Sequence, residues 1–214
     1  LFVTTLSLLF ILPADLWGAF AMTTLAILRS TISDDLARSD LTTQIDAAIL
    51  QAISYYQEER LFWMETRAST FATVASQYAY TEADSATIPL WIKVDDVLLE
   101  DAGGISYGPL ERLEQAEMER LLDSSASSGR PDAWSWYNDT FYLHPIPDAV
   151  YTVRPMGQAL VAEPSSDSEP NNPWLTKGFE LLRSAAKGYV FLHTMKDPDQ
   201  ATAMAISAER ELGR

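Results

Sequence analysis

Carboxylates are the side chains in this sequence most able to do chemistry, and they form three adjacent pairs: Asp34-Asp35, Glu58-Glu59 and Asp95-Asp96. Two carboxylates facing each other across a cleft can hydrolyse a glycosidic bond, and several together can bind a metal ion. Adjacent residues, however, point to different sides of a helix or strand. We therefore interpret the pairs as solvated charge and predict neither a catalytic nor a metal site.

Cysteine and histidine offer little further chemistry. The chain has no cysteine, which excludes disulfides, thiolate nucleophiles and cysteine-ligated metals. Its two histidines, His144 and His193, are far apart in the sequence. We interpret His144, at the end of a predicted strand, as structural. His193 fits packing, or compensation of the dipole at a helix C-terminus. No P-loop or dinucleotide-binding glycine motif occurs, so no cofactor is predicted.

Aromatic and arginine side chains are better candidates for function, because tryptophan, tyrosine and arginine dominate the hot spots of protein interfaces. Alternation along a strand predicts that Trp134 and Trp136 lie on one side of it. Arg60 and Arg67 flank a predicted helix-to-sheet junction, where they could bind the acidic surface of a neighbouring subunit or neutralise Glu58 and Glu59. Core packing is the alternative role for the tryptophans. The candidate interface residues are Tyr55, Arg60, Trp63, Arg67, Trp134, Trp136 and Trp174.

The net charge of the chain makes a nucleic acid an unfavourable binding partner. The formal charge is −15, from 30 acidic and 15 basic residues, and no cluster of lysine and arginine is visible. Tight binding to a nucleic-acid backbone needs such a cluster. With 214 residues, 47% of them hydrophobic, the chain can build a packed core in one large domain or two small ones.

Apolar residues at spacings of three and four predict the helices that position these candidates. The longest stripe lies in residues 40–63 and needs a covering partner, because helices gain most of their stability from packing. A shorter helix capped by Thr23 or Thr24 precedes it. Two more helices are predicted after residues 172–173 and 197–198, where a capping residue precedes a proline. We predict an α+β fold, with a helical bundle built from N- and C-terminal helical hairpins.

Between the two hairpins the sequence has short strand patterns and frequent turns, which predict an inserted small antiparallel β-domain of sandwich or barrel type. The predicted elements are a hairpin of residues 67–73 and 77–80, a strand at 88–100, a helix at 110–122, a hairpin of 132–138 and 140–144 turned at Asn138-Asp139, and a strand at 149–156.

The predicted domain organisation follows from these elements. Residues 22–64 together with 171–214 form the helical bundle domain, and residues 65–161 form the inserted β-rich domain. Residues 162–172 are acidic and rich in serine, proline and asparagine, which is typical of a flexible linker or arm.

Residues 1–21 are an apolar N-terminal extension with three open interpretations. They can be an upstream stretch that is not native, with Met22 as the start. They can be a secretory signal ending in the small residues Ala19 and Ala21, or a packed or membrane-touching segment. The apolar run is too short and interrupted to span a bilayer.

Several stretches, taken in order, resemble the head-to-tail adaptor (connector) proteins of tailed bacteriophages. Residues 22–63 are the most specific, with a short helix, a Ser-Asp-Leu break and a long helix ending in an acidic-Arg-aromatic segment. Residues 70–81 resemble the first β-hairpin of that family, residues 128–153 its proline-containing strands and Pro-Ile-Pro-Asp turn, and residues 171–204 its closing helical pair. The resemblance does not include residues 1–21.

What the resemblance implies is a structural virion protein with no enzymatic activity and no cofactor. Family members form a ring, commonly dodecameric, beneath the portal protein. They join it to a tail or nozzle protein and leave a channel that DNA passes without sequence-specific binding. No membrane is involved, and assembly in the host cytoplasm is expected. The alternative is a secreted β-sandwich ligand-binding module with an N-terminal signal; an acidic glycosidase-like hydrolase is a second rival.

Overall fold

The computed structural model describes residues 23–124 and 127–213, so the extension at residues 1–21 lies outside the described residues. The α+β class is confirmed, since the described chain contains six α-helices and both antiparallel and parallel strand pairs. None of its helices is both long and apolar enough to cross a membrane. The helices are α1 (Leu25–Leu36), α2 (Thr42–Tyr56), α3 (Gln115–Ser124), α4 (Pro173–Thr176), α5 (Phe179–Val190) and α6 (Pro198–Leu212).

The two N-terminal helices differ in how they are capped. Thr24 caps α1, as predicted, by accepting a hydrogen bond from the backbone N–H of Ile27, and Ala37 ends the helix in the left-handed conformation. The predicted bounds of α2 are wrong at the C-terminus, because the helix ends at Tyr56 and residues 62–64 form a 3-10 turn. No side chain caps α2, and Asp40 just before it accepts two hydrogen bonds from the Arg38 guanidinium.

The C-terminal helices begin at the predicted caps, but the single helix expected after residues 172–173 is divided into α4 and α5. Asn172 and Asp197 cap α4 and α6, each followed by proline at the first helical position. A π-helical segment, Phe191–Met195, separates α5 from α6. Residues 160–172 contain no helix or strand. Asp167 in this stretch accepts hydrogen bonds from Arg29 and from the backbone N–H of Ala26, both in α1. The flexibility of residues 162–172 stays a prediction.

One hydrophobic core lies among the helices. It combines aliphatic residues of α1, α2 and α5 with Trp174 of α4 and Ala208 of α6. On α2 the buried residues recur at the predicted spacing and are Ile45, Ala48, Ile49, Ala52, Ile53 and Tyr56. Asp35 of α1 accepts hydrogen bonds from Arg183 and Lys187 of α5, which fixes these two helices to each other. The solvated-charge interpretation is therefore wrong for Asp35.

Eleven short strands occupy the described part of residues 65–159. They are β1 (Glu65–Thr66), β2 (Phe71–Ala72), β3 (Ala79–Tyr80), β4 (Trp91–Glu100), β5 (Ser106–Tyr107), β6 (Glu111–Arg112), β7 (Ser128–Gly129), β8 (Ala133–Tyr137), β9 (Thr140–His144), β10 (Ile146–Pro147) and β11 (Thr152–Ala159). One sheet has the order β1-β11-β4-β5, with β2 also on β11; another has the order β3-β9-β8-β6, and β7 pairs with β10. The described strands close no barrel.

The longest pair, β4 with β11, holds the first sheet together and contains two register shifts. A Cβ at Gly157 would collide with the carbonyl oxygen of Lys93, so only glycine fits at the first shift. The pairs β6 with β8 and β7 with β10 are parallel, which the purely antiparallel expectation missed. A second hydrophobic core, including Trp91, Trp134 and Phe141, lies between the two larger sheets.

The two predicted hairpins had different outcomes. The β8–β9 hairpin is confirmed, with Asn138 and Asp139 both at positive φ in its two-residue turn. The hairpin of residues 67–73 and 77–80 is wrong, because β2 pairs with β11 and β3 with β9. The chain does turn there, but the Tyr80 hydroxyl holds the turn by bonding to Val74 and Gln77 while the strands join different sheets.

Two other predicted bounds shift toward the C-terminus. The helix expected from Leu110 begins at Gln115, because residues 111–112 form β6 beside β8. The strand expected at residues 149–156 lies at Thr152–Ala159. In both cases a neighbouring strand supplies backbone partners that periodicity alone does not reveal.

Candidate interaction surfaces

An apolar groove opens between α2, α5 and α6 and has a volume of about 470 Å³. Tyr55, a candidate interface residue, is 62% exposed beside it. The residues that give the groove its apolar character are Ala52, Tyr56, Tyr189, Leu192, Ala201 and Ala205. Contiguous exposed apolar surface on a small protein marks a binding site for another macromolecule or ligand. We call this surface the α6 groove.

Two carboxylates lie near Tyr56, one of the residues that line the α6 groove. Burial raises the pKa of Tyr56, and the nearby carboxylates of Glu209 and Glu59 raise it further. Both glutamates are exposed, and neither is in an ion pair with another described residue. The groove therefore combines an apolar floor with carboxylates that are free to bind a cation from outside the chain.

Arg60 and Arg67, the two arginines predicted at the helix-to-sheet junction, make different contacts within the chain. Arg60 donates to Glu65 at 2.9 Å and to Asp95 at 2.8 Å, so it joins the end of the helical segment to β1 and β4. It does not neutralise Glu58 and Glu59, which was one of its two predicted roles. Arg67 is exposed and lines a shallow pocket with Arg60, and it is in no ion pair with the described residues. An interface role for both stays a prediction.

Gln158 of β11 is buried and connects the sheet that contains β11 to the core among the helices. Its amide donates to the backbone oxygen of Glu59 at 2.6 Å and lies near the sulfur of Met64. This contact fixes the chain leaving α2 against the first sheet. It was not predicted, and the sequence carries no local pattern that would identify a glutamine in this role.

Trp63 and Trp174 come together between the helices. Their rings meet edge to face with centroids 6.2 Å apart. Trp174 is completely buried, and its indole N–H donates to the carbonyl oxygen of Val161, so it belongs to the core of a single chain. Trp63 is half-buried beside Phe62, which is 66% exposed under the ammonium of Lys177. Of this group, Trp63 and Phe62 have surface available to a partner.

Trp134 and Trp136 lie on the same side of β8, and both rings contact Phe141. Trp134 is completely buried and Trp136 is half-buried. Trp134 has no surface for a partner in this structure, whereas Trp136 keeps its predicted interface role as an untested possibility.

The turn between β4 and β5 presents an isoleucine on a fixed loop. Asp101 accepts hydrogen bonds from the backbone N–H groups of Gly103 and Ile105, each at 2.9 Å, and from the Tyr107 hydroxyl at 3.0 Å. These bonds, the one from Ile105 first, lower the pKa of Asp101. Ile105 itself is 60% exposed. We call residues 101–107 the β4–β5 turn.

The β4–β5 turn also contains the letters of a hydrolase motif, Gly-Ile-Ser-Tyr-Gly at residues 104–108. A catalytic serine in that motif stands on a sharp turn from a strand into a helix. Here Ser106 lies inside β5, opposite Glu100 of β4, and the next element is the strand β6. The described chain also has no group of three or more histidine, aspartate or glutamate side chains able to hold a metal ion.

The structure therefore brings together some candidates and separates others. Tyr55 lies at the α6 groove, Arg60 and Arg67 share the junction, and the four candidate tryptophans divide between two cores. Sequence reasoning missed Phe62, Leu192 and Ile105 as exposed apolar residues. Periodicity identifies buried faces well, but a single exposed side chain breaks no pattern and gives no signal.

A family model described as SU10 adaptor protein matches residues 22–214 of the chain. The match excludes residues 1–21 and includes every residue that the structure describes. Among curated proteins no match was found.

Proposed function

The chain belongs to the SU10 adaptor protein family, a family of phage head-to-tail adaptors, and from this premise we propose that it connects the portal protein to the tail as a ring. The observation that carries the proposal is the family match over residues 22–214. The coarser role, a structural component of a bacteriophage virion, follows from the family itself. The proposal adds a dodecameric ring, attachment on two sides and a central channel for DNA.

The chemistry of the surface supports passage of DNA without binding. Of the basic side chains, Arg29, Arg154 and Arg183 are each held by carboxylates of the same chain. With a formal charge of −15 on every copy, a ring of such chains would repel phosphate. We propose no catalytic role and no cofactor for the protein.

The proposed architecture is a helical bundle made from an N-terminal and a C-terminal hairpin, with residues 65–161 as an inserted β-rich domain. The shared core of α1, α2, α5 and α6 supports this division, as does the separate core between the two larger sheets. In the proposal the helical bundles stand side by side around the channel. Residues 162–172 and the C-terminal helix are the segments offered to the portal and tail proteins, and the ring assembles in the host cytoplasm.

Native mass spectrometry of the purified chain, alone and mixed with the portal protein of its phage, tests the proposal. The expected result is a single closed oligomer of about twelve copies, either spontaneously or on the portal. A chain that stays monomeric at high concentration and does not bind the portal would contradict it. A chain beginning at Met22 serves as a control for the contribution of residues 1–21, and we expect it to assemble equally well.

A further inference from the structure

Two surfaces on different parts of the chain are complementary, and we propose that they meet between neighbouring copies: the β4–β5 turn of one copy occupies the α6 groove of a second copy. The inference rests on the proposed ring and names the contact that would build it. It assigns the groove one occupant, a second copy of this chain, and one inserted side chain, Ile105.

Shape and polarity support the pairing. The α6 groove is open, apolar and large enough, at about 470 Å³, to take a branched aliphatic side chain with part of its loop. Ile105 is 60% exposed, so its side chain is available for insertion into a neighbouring copy. Burying it in the groove would remove apolar surface from water on both copies.

The fixed conformation of the β4–β5 turn also supports its insertion into the groove. Besides the bonds to the Asp101 carboxylate, the backbone of Asp101 exchanges hydrogen bonds with Gly104 and Ile105 across the turn. Gly104 has φ of +77°, a conformation that other residues rarely adopt. A loop fixed in this way loses little conformational entropy on binding, which is typical of an inserted loop rather than a disordered one.

Charge complementarity favours the same pairing. The Arg130 guanidinium lies 4.3 Å from the centre of the Tyr107 ring at the base of the β4–β5 turn, and it is in no ion pair with the described residues. Near the groove, Glu209 follows the lining residue Ala208 on α6, and the backbone N–H of Glu59 donates to the carbonyl oxygen of the lining residue Tyr56. Both carboxylates are exposed and in no ion pair with the described residues. An inserted turn would bring the free cation of one copy to the free anions of the next.

The two surfaces are different, so the contact is head-to-tail. A head-to-tail contact adds one copy after another and gives a closed ring where the rotation between copies allows closure. A symmetric dimer cannot satisfy it with one contact, because each copy would retain an empty groove or a free turn.

Cysteine cross-linking tests the contact directly, since the natural chain has no cysteine and every disulfide formed must be the introduced one. The test variant carries Ile105→Cys with Ala205→Cys in the groove. The matched control carries Ile105→Cys with Ala203→Cys, which is also exposed on α6 but does not line the groove. We expect oxidised test particles to run as a ladder of covalent oligomers in denaturing gels, and the control to run mostly as single chains.

The outcomes separate this inference from the proposed function. Closed rings without a ladder, or with equal ladders in test and control, would overturn the contact and leave the adaptor role standing; the groove would then hold another partner. Monomers that neither assemble nor cross-link, alone or mixed with the portal protein, and that do not bind the portal contradict both proposals.

A charge-reversal cycle provides a second readout that does not need cysteines. Arg130→Glu and Glu209→Arg should each raise the concentration needed for half-assembly by about tenfold, and the double variant should recover most of the loss. Combining Arg130→Glu with Glu163→Arg, another exposed carboxylate, should give no recovery. Equal recovery with both partners would show a general charge effect and contradict the specific contact.

Discussion

Helices α2 and α6 have the same length, 15 residues, but are held in the fold in different ways. Six side chains of α2 are buried, including three isoleucines. Only two side chains of α6 are buried, and both are alanines, Ala201 and Ala208. The first helix is a central part of the core, whereas the second is attached along one side.

Small residues explain how α6 stays attached with so little buried surface. A Cβ on Gly188 of α5 would lie 3.4 Å from the Cβ of Met204, so the two helices approach closely at this point. The opposite face of α6 presents Ala203 and Ile206 to solvent, Ile206 with half of its surface exposed. The difference teaches that α2 maintains the fold and that α6 presents a surface.

Matched truncations of isoleucine should produce the largest contrast between these helices. Ile53→Ala, at a completely buried position of α2, should lower the free energy of unfolding by about 2–4 kcal/mol through the cavity it leaves. Ile206→Ala on α6 should change it by less than about 0.5 kcal/mol. Urea denaturation followed by circular dichroism measures both. Similar losses would show that α6 is as much a part of the core as α2.

The next largest effect on stability should come from the ion pairs of Asp35 in α1 with Arg183 and Lys187 in α5, which we call the clamp. Arg183 and, secondarily, Lys187 hold the pKa of Asp35 at about 2, below its ordinary value of 3.8. Because the carboxyl has the lower pKa in the folded state, its stabilisation is complete above about pH 4 and is lost as the pH falls toward 2. Asp35→Asn should cost about 1 kcal/mol at pH 7, after allowance for screening by solvent.

Denaturation of Asp35→Asn at pH 7 and at pH 3 tests the clamp. The difference from the natural chain should shrink at the lower pH. Asp34→Asn is the matched control, because this neighbouring carboxylate is exposed and in no ion pair with the described residues. A pH-independent difference, or an equal loss in the control, would contradict the assigned role of Asp35.

The smallest effect should be confined to α6. Asp197→Ala removes the side chain that accepts the backbone N–H of Gln200, which costs about 1 kcal/mol of local helix stability. Hydrogen exchange measured by mass spectrometry should become about fivefold faster in α6 and stay unchanged in α2. Equal acceleration in both helices would mean that they open together, against the distinction drawn between them.

The same distinction explains which parts of the fold could be predicted. Periodicity and capping residues identified α1, α6 and the start of α4, and the Asn-Asp turn identified the β8–β9 hairpin, because these signals are local. The break between α4 and α5 was missed. The end of α2 and the partners of β2 and β3 were wrong, because they depend on distant strands. The parallel pairing of β6 with β8 was missed for the same reason.

The candidate surfaces were harder to predict than the fold. Tyr55 was selected by residue type and does lie beside the groove. Trp134 and Trp174 were selected for the same reason but are buried, since an aromatic residue serves a core as well as an interface. The α6 groove requires residues of three helices that are distant in sequence, and only the packed structure brings them together.

A reconstruction of the native particles by electron cryomicroscopy is the most direct test of the claim that α6 presents a surface for neighbouring copies. The account predicts a closed ring in which each α6 groove is filled by the β4–β5 turn of the next copy, with Ile105 beside Tyr55 and Ala205. A ring whose grooves are open to solvent, or filled by anything other than this turn, would contradict it.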